Sequence, residues 1–346
     1  MYLGQINYNI MFYPTDDNGN IQGSESWRLA LVESVEIHRS VDLLAAACVI
    51  KLPDKVYNKV EDVSDKIKRG YKVTVKLGYD AALQQEFSGY LLSINTDNNN
   101  ITLTCEDSLF ILRKAVKDKQ FAGAGVKAIA QYILQQTGVK MTLNCTDPIV
   151  YDKFTIVSAT AYDVLKKIEE ETKDNIFITE NAGGTRVLNI HPPYEMLGDS
   201  VVYSLQKNVE DSDLKWLNKD DLKVQIVIKS TGTDGKITEY KYGTTGGDRH
   251  TRQVSGMSGA ALKQVAMNEY QKWYYDGYQG SVTGWLIPNC EPTYAAAIVD
   301  DEYPDKNGTY YVNSVTTSIG AEGGKRKIQI GRKLSNLENG QLQAIN

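Results

Sequence analysis

Two widely separated stretches of this chain spell the same arrangement. Phe87-Ser-Gly-Tyr90-Leu-Leu-Ser-Ile94, a polar turn over Asp97–Asn100 and Ile101-Thr-Leu103-Thr-Cys105 form one copy. Asn307-Gly-Thr-Tyr310-Tyr-Val312-Asn-Ser-Val315, the glycines 320, 323 and 324, and Lys327-Ile-Gln-Ile330 form the other. Each reads as an alternating strand, a turn and a second alternating strand, because side chains on a strand point to opposite faces in turn. Two such hairpins far apart predict two related β units rather than one large fold. This constrains the architecture more than any other feature.

The remaining strand signals support that division. At 346 residues the chain has room for two or three cores. Tyr8, Ile10 and Phe12 alternate ahead of Pro14, Asp17-Asn-Gly19 marks a turn, and Tyr71–Leu77 alternates up to Gly78. Residues 1–115 therefore read as a first antiparallel β-barrel domain. From 116 to 204 the period changes. Val126, Ile129, Ala130, Ile133 and Leu134 make one helical face that ends at Gly138. Thr160 and Asp163 have capping-box spacing ahead of a helix that turns Ala161, Leu165 and Ile168 inward and leaves Glu169, Glu170 and Glu171 in solvent. With a hairpin around Gly183-Gly184, this segment is a small α+β module. Residues 205–346 read as a second barrel. It starts with a hairpin at Thr233-Asp-Gly235, continues through a mobile Gly243–Gly259 stretch, and carries an inserted helix over 258–276. The fold class is mainly β, with some α+β.

Composition removes several function classes. The net charge is −5, spread as −3 over 1–115, −2 over 116–200 and zero beyond. No basic stripe is available to neutralise phosphates, so sequence-specific nucleic-acid binding is not expected. The longest apolar run, Leu43–Ile50, is too short to span a bilayer, and the N-terminus lacks the basic-then-apolar pattern of a secretory signal. The four cysteines (48, 105, 145 and 290) show no CxxC spacing and read as reduced core thiols made in a cytoplasm.

Residues able to carry chemistry are sparse. The three histidines, His38, His191 and His250, share no element at metal-ligand spacing and read as surface or structural residues. Gly256-Met-Ser-Gly259 lacks the GxSxG spacing of a nucleophile elbow, leaving Ser258 as a helix N-cap. Gly243–Gly247 has no GK[ST] and opens into loop, unlike a phosphate cradle. Pro14–Glu25 matches several positions of a calcium loop, but its first position is a proline and a strand leads into it, so a hairpin turn is expected. Glu169–Glu171, Asp220-Asp221 and Asp300-Asp301-Glu302 are runs of like charge, which favour solvent over a catalytic cleft. No catalytic residue, cofactor or metal site is read. The aromatic run Tyr270-Gln-Lys-Trp273-Tyr-Tyr275-Asp-Gly-Tyr278 exceeds what one apolar stripe needs. Tyr274, Tyr275 and Tyr278 are its candidate protein-interface residues.

Three of these features together resemble the late control D proteins of contractile-tailed phages, the baseplate hub family that also forms the hub part of type VI secretion spikes. They are Phe87-Ser-Gly89-Tyr90 through Cys105-Glu-Asp107, the middle module with its Thr160–Leu165 helix start, and Tyr310–Val315 with Lys327–Ile330. The family's proline-glycine turn has only Ile287-Pro288 and Glu291-Pro292 in its place. The resemblance implies a non-enzymatic structural protein with two tandem barrels per chain, associating as a homotrimer. Its six barrels would form a ring between a six-fold tail tube and a three-fold spike. It further implies a place in a virion tail or injection particle assembled in the bacterial cytoplasm, with tube and spike proteins as partners. The competing readings are a tail-associated cell-wall hydrolase, which would need a carboxylate pair or metal cluster, and a carbohydrate-binding module using the Trp273–Tyr278 aromatics.

Overall fold

The computed structural model describes residues 4–53, 63, 66–96, 100–180, 185–232, 235–338 and 341–344. The chain is mostly strand, and its largest sheet is mainly antiparallel. Both expected hairpins are present: Ala82–Thr96 pairs with Ile101–Asp107, and Gly308–Gly320 with Gly323–Glu338. The Asp97–Asn100 turn falls mostly outside the described residues. Gly89 of the first copy is required by close packing, since a Cβ there would run into the Glu106 carbonyl and the Phe87 ring.

These hairpins belong to one continuous sheet. Its path runs Val209–Ser212, Gly277–Gly284, Gly323–Glu338, Gly308–Gly320, Ser34–Ser40, Ala47–Leu52, Ile101–Asp107, Ala82–Thr96, Lys72–Tyr79, Ile6–Tyr13 and Trp27–Arg28. The seam between its halves is the antiparallel pairing of Ser34–Ser40 with Gly308–Gly320, from Val35 opposite Ile319 to Ser40 opposite Ser314. In the first half, residues 29–33 link the outer strand back to the seam strand. Leu29 N–H donates to Ile10 C=O, Val32 N–H to the Tyr8 hydroxyl and Glu33 N–H to Lys51 C=O. Alternation places Ile10, Phe12, Val35, Ile37, Cys48, Ile50, Val73, Val75, Leu103 and Cys105 in one core. Leu286 and Ile319 of the second half complete that core. Burying each such aliphatic side chain is worth about 1.5–3 kcal/mol. The second half packs its own core from Tyr203, Tyr278, Val282, Ile298, Tyr310, Val312, Ile328 and Ile330.

The third core differs from the expected division. Helix α1 (Val126–Thr137) and helix α2 (Ala161–Thr172) lie in the middle module as the sequence predicts, and the Thr160–Asp163 capping box is formed. The Asn175–Glu180 and Arg186–His191 hairpin is also present, with its turn outside the described residues. Residues 224–273, expected in the second barrel, pack onto this module instead. Val224–Thr231 forms the centre of a separate three-stranded sheet, antiparallel to Ile237–Gly243 and parallel to Asp248–Ser255. Helix α3 (Gly259–Trp273) lies with it, and Val224, Ile226, Ile228, Leu262 and Val265 share a core with Ile129 and Leu165. The reason is visible in Ile226-Val227-Ile228, all fully buried. A strand covered on both faces reads as a continuous apolar run, unlike the half-wet alternation of an antiparallel barrel strand. The stretch expected to be mobile contains the strand Asp248–Ser255.

Candidate assembly surface and the joints behind it

The features that position one β half against its neighbours are buried charges. Arg326 is fully buried at the seam, and every nitrogen of its guanidinium donates. Nη2 bonds Glu86 Oε1 at 2.8 Å and Leu286 C=O at 2.9 Å, Nη1 bonds Glu86 Oε2 and Thr317 Oγ1 at 3.1 Å each, and Nε reaches Leu286 C=O. Arg39, on the seam strand, bridges Glu86 to Glu291 of the second half. A buried ion pair is tolerated only when its remaining donors and acceptors are also met, and here they come from both halves. His38 lies on the same seam, its Nδ1 3.0 Å from Thr316 Oγ1.

A second joint ties the first half to the middle module. Arg186 is buried and donates to the Gly19 carbonyl at 2.7 Å, the Asn18 carbonyl at 3.0 Å and the Tyr90 hydroxyl at 3.0 Å. Lys72 pairs with Glu180 and lies 4.8 Å over the Tyr90 ring. The Asn18–Gly19 carbonyls are presented by the turn that had matched a calcium loop. Asp16 Oδ1 accepts from Asn18 N–H at 2.9 Å and Asn20 N–H at 2.8 Å, and Gly19 takes a positive φ of 73°. These bonds hold the Asp16 carboxyl below the usual carboxylate range, the one from the Asn20 backbone most strongly. The turn is spent on structure.

The second-half aromatics divide. Tyr274 stacks on Tyr270 at 4.9 Å, and Tyr242 meets Tyr270 edge-on at 5.1 Å. Trp273 stacks on His250 at 4.1 Å, donates its indole N–H to Glu269, and stays 37% exposed. Tyr274 and Tyr275 are half-buried, and burial pushes the Tyr275 hydroxyl up to about 12. Tyr278 does not belong with them. It is 6% exposed, sits edge-on to Trp216 at 5.2 Å, and its backbone N–H donates to Tyr310 Oη in the second-half core at 3.0 Å. Helix α3 ends at Trp273, and Gly277, with φ 139°, starts the strand that carries Tyr278 inward.

Other expectations meet the structure as follows. His191 is buried against Thr146 and Asn144, and burial lowers its pKa. His250 lies on a strand rather than in a mobile loop. Ser258 occupies the N-cap position of α3, without a side-chain capping bond. In the Gly243–Gly247 turn the Thr244 N–H donates to the Val224 carbonyl and the Gly247 N–H to the Thr244 carbonyl. Glu169 and Glu171 are buried, contrary to the solvated reading, and Glu171 accepts from Ser255 Oγ at 2.6 Å. Asp300 is likewise buried, holding Gln206 Nε2 at 2.8 Å and Glu302 N–H at 2.9 Å. Sequence reasoning missed Asp147 and Asp174, a neighbouring pair whose carboxyls are raised by burial, Asp147 to about 6. Among the described residues no group of three or more His, Cys, Asp or Glu is placed to hold a metal ion, and no helix is long and apolar enough to cross a membrane. A cleft of about 30 Å³ opens between Asp42, Asn175, Tyr194, Glu269 and Tyr311, room for a water molecule rather than a substrate.

No family model matches the sequence, and no curated protein matches it. Solved structures do. The fold is similar to a tail protein from Neisseria meningitidis MC58, with a TM-score of 0.61 at 14% identity over 94% of this chain and 96% of that one. It is similar to the 43 kDa tail protein of prophage MuSo2 from Shewanella oneidensis, with a TM-score of 0.57 at 15% identity over 95% and 97%. It is also similar to an Escherichia coli component of the type VI secretion system, itself described as similar to bacteriophage T4 tail proteins. That match has a TM-score of 0.58 at 10% identity over 91% and 76%. The chain therefore has the fold of phage tail proteins along nearly its whole length.

Proposed function

We propose that this chain is a baseplate hub subunit of a phage tail or related injection particle. Three copies would place six β units in a ring between a six-fold tube and a three-fold spike. The observation carrying this reading is the likeness to two tail proteins from end to end, in a chain whose two β halves are welded edge to edge. A ring joint must hold two similar units at a fixed angle, and a strand-paired seam with a buried ion cluster across it supplies that stiffness. The role is structural rather than enzymatic, with the late control D proteins as the family it fits. Tube, spike and two further copies of itself are the partners. Tyr274 and Tyr275 are the residues assigned to contact a neighbour, since both keep part of their surface open to solvent, unlike the buried Tyr278.

The test is co-expression with tube and spike proteins of a tail particle, followed by imaging and mass measurement of the purified assembly. Three copies at the tube–spike boundary are expected. Particles that join tube to spike without this chain would overturn the reading, and clearing of peptidoglycan by the pure chain would favour a hydrolase. The paired change Tyr274→Ala and Tyr275→Ala should weaken incorporation and leave the chain's own unfolding nearly unchanged.

A further inference from the structure

Of the four cysteines, the topology brings two face to face. Cys48 on Ala47–Leu52 lies directly opposite Cys105 on Ile101–Asp107, flanked by the pairs Ala47/Glu106 and Val49/Thr104. Cys145 lies in the middle module and Cys290 in the second-half core. Directly opposed residues of an antiparallel ladder share a face, with Cβ atoms about 4.5–5.5 Å apart. The Asp107 N–H to Ala46 C=O bond makes that pair a hydrogen-bonded one, so two residues along, Cys48/Cys105 is of the same kind. Such pairs have Cα atoms about 5.5 Å apart, within the roughly 4.4–6.8 Å that a disulfide spans. In a hydrogen-bonded pair the Cβ atoms lie toward the wider end of their range, beyond the roughly 3.5–4.5 Å of a disulfide, so the two strands must draw together to join them.

Both thiols are reduced and sealed in the first-half core, at 0% and 1% exposure. Burial pushes both thiols upward, so the thiolate needed for attack is scarce in the closed fold.

We propose that Cys48 and Cys105 are a latent cross-strand disulfide site, closed by a small-molecule disulfide when the first β half opens and shielded while it is shut. In the opened segment one cysteine, having lost its proton, attacks a sulfur of the small disulfide. A mixed disulfide forms and one small thiol leaves. The second cysteine, also deprotonated, attacks the protein sulfur of that mixed disulfide. The Cys48–Cys105 bond forms and the second small thiol leaves. The protein dithiol gives up two electrons and two protons, and one small disulfide becomes two thiols. The bond staples strands whose cysteines are 57 residues apart, at the centre of the first-half ladder.

The experiment exposes the whole chain to oxidised glutathione in plain buffer and in urea just below the unfolding transition, with alkylation of free thiols and peptide mass mapping. A linked Cys48–Cys105 peptide is expected to accumulate in urea and to stay at background in buffer over the same time. The Cys48→Ala variant should instead hold a stable glutathione adduct at Cys105. After removal of urea, the linked protein should unfold at a higher urea midpoint than the reduced protein. Persistent glutathione adducts on both cysteines, or links to Cys145 or Cys290 in equal yield, would overturn the pairing. Equally fast linkage in buffer would overturn the shielding, and an unchanged or lower midpoint would overturn the geometric fit.

Discussion

The first β half is held at two places by different kinds of construction. At the seam with the second half, main chain meets main chain through a ladder from Val35/Ile319 to Ser40/Ser314, and Arg326, Glu86 and Arg39 lie buried across it. At the joint with the middle module, side chains reach across: Arg186 to the Asn18 and Gly19 carbonyls, Lys72 to Glu180, and Lys114 to the Thr137 carbonyl. A ladder resists slippage because a shift of one residue turns every side chain to the wrong face. The joint with the module adds apolar packing to its side-chain bonds, since Leu44, Tyr90, Leu109 and Ile111 share a core with Ile129 and Leu165. The seam is thus fixed in register by main chain, and the middle joint by packing and side-chain bonds.

The largest effect should come from Arg326→Ala. It strands Glu86, 3% exposed, with only long contacts to Arg39 and Thr317, and removing one partner of a buried pair costs about 3–5 kcal/mol. Chemical denaturation should show the two β halves losing stability together. If they instead unfold separately in the unaltered protein, the seam is not a weld. Next comes Arg186→Ala, which leaves two carbonyls and the Tyr90 hydroxyl short of a donor and should cost about 1–3 kcal/mol. Hydrogen exchange should then rise around Lys72 and Glu180 while the seam strands stay protected. Equal loosening of both sites would erase the contrast between them.

The double change Glu86→Leu with Arg326→Met should recover at least half of what Arg326→Ala loses, because matched apolar replacement of a buried ion pair is often close to neutral. Failure to recover would assign the seam's strength to the carbonyl bonds of Leu286 and Cys290. The smallest effect is a pH slope confined to the middle module. Asp147 has a folded pKa of about 6, raised by burial beside Asp174, against 3.8 when free. The folded state therefore holds the extra proton, and stability is full below about 4 and falls as pH rises through about 6. Thermal unfolding across that window should show the decline, and Asp147→Asn should flatten it.

Local features of this fold were legible in the sequence because their causes are local. Alternation gave both hairpins, the i, i+3, i+4 spacing gave α1, and Thr160/Asp163 gave the cap of α2. Features that depend on a distant partner were not. Gln84-Gln-Glu86 looks wet until Arg326, 240 residues away, arrives beside Glu86. Glu171 looks like the polar end of a helix until Ser255 closes over it. Tyr278 belongs to an aromatic run in sequence, but the chain turns at Gly277 and buries it beneath another strand set. The placement of 224–273 was the costliest miss, since a strand's period reveals its faces and not which sheet it joins.

The seam also sets a timetable. His38 and Thr316 meet across it from 278 positions apart, so the partner of Ser34–Ser40 leaves the ribosome long after that strand does. At about 5–20 residues per second, the first half waits roughly 15–60 s with an open strand edge. Such an edge is a template for any other nascent chain in reach, including copies on the same message. Slow synthesis, or interruption before Gly308–Gly320 is made, therefore exposes this protein to mispairing before any particle exists for it to join.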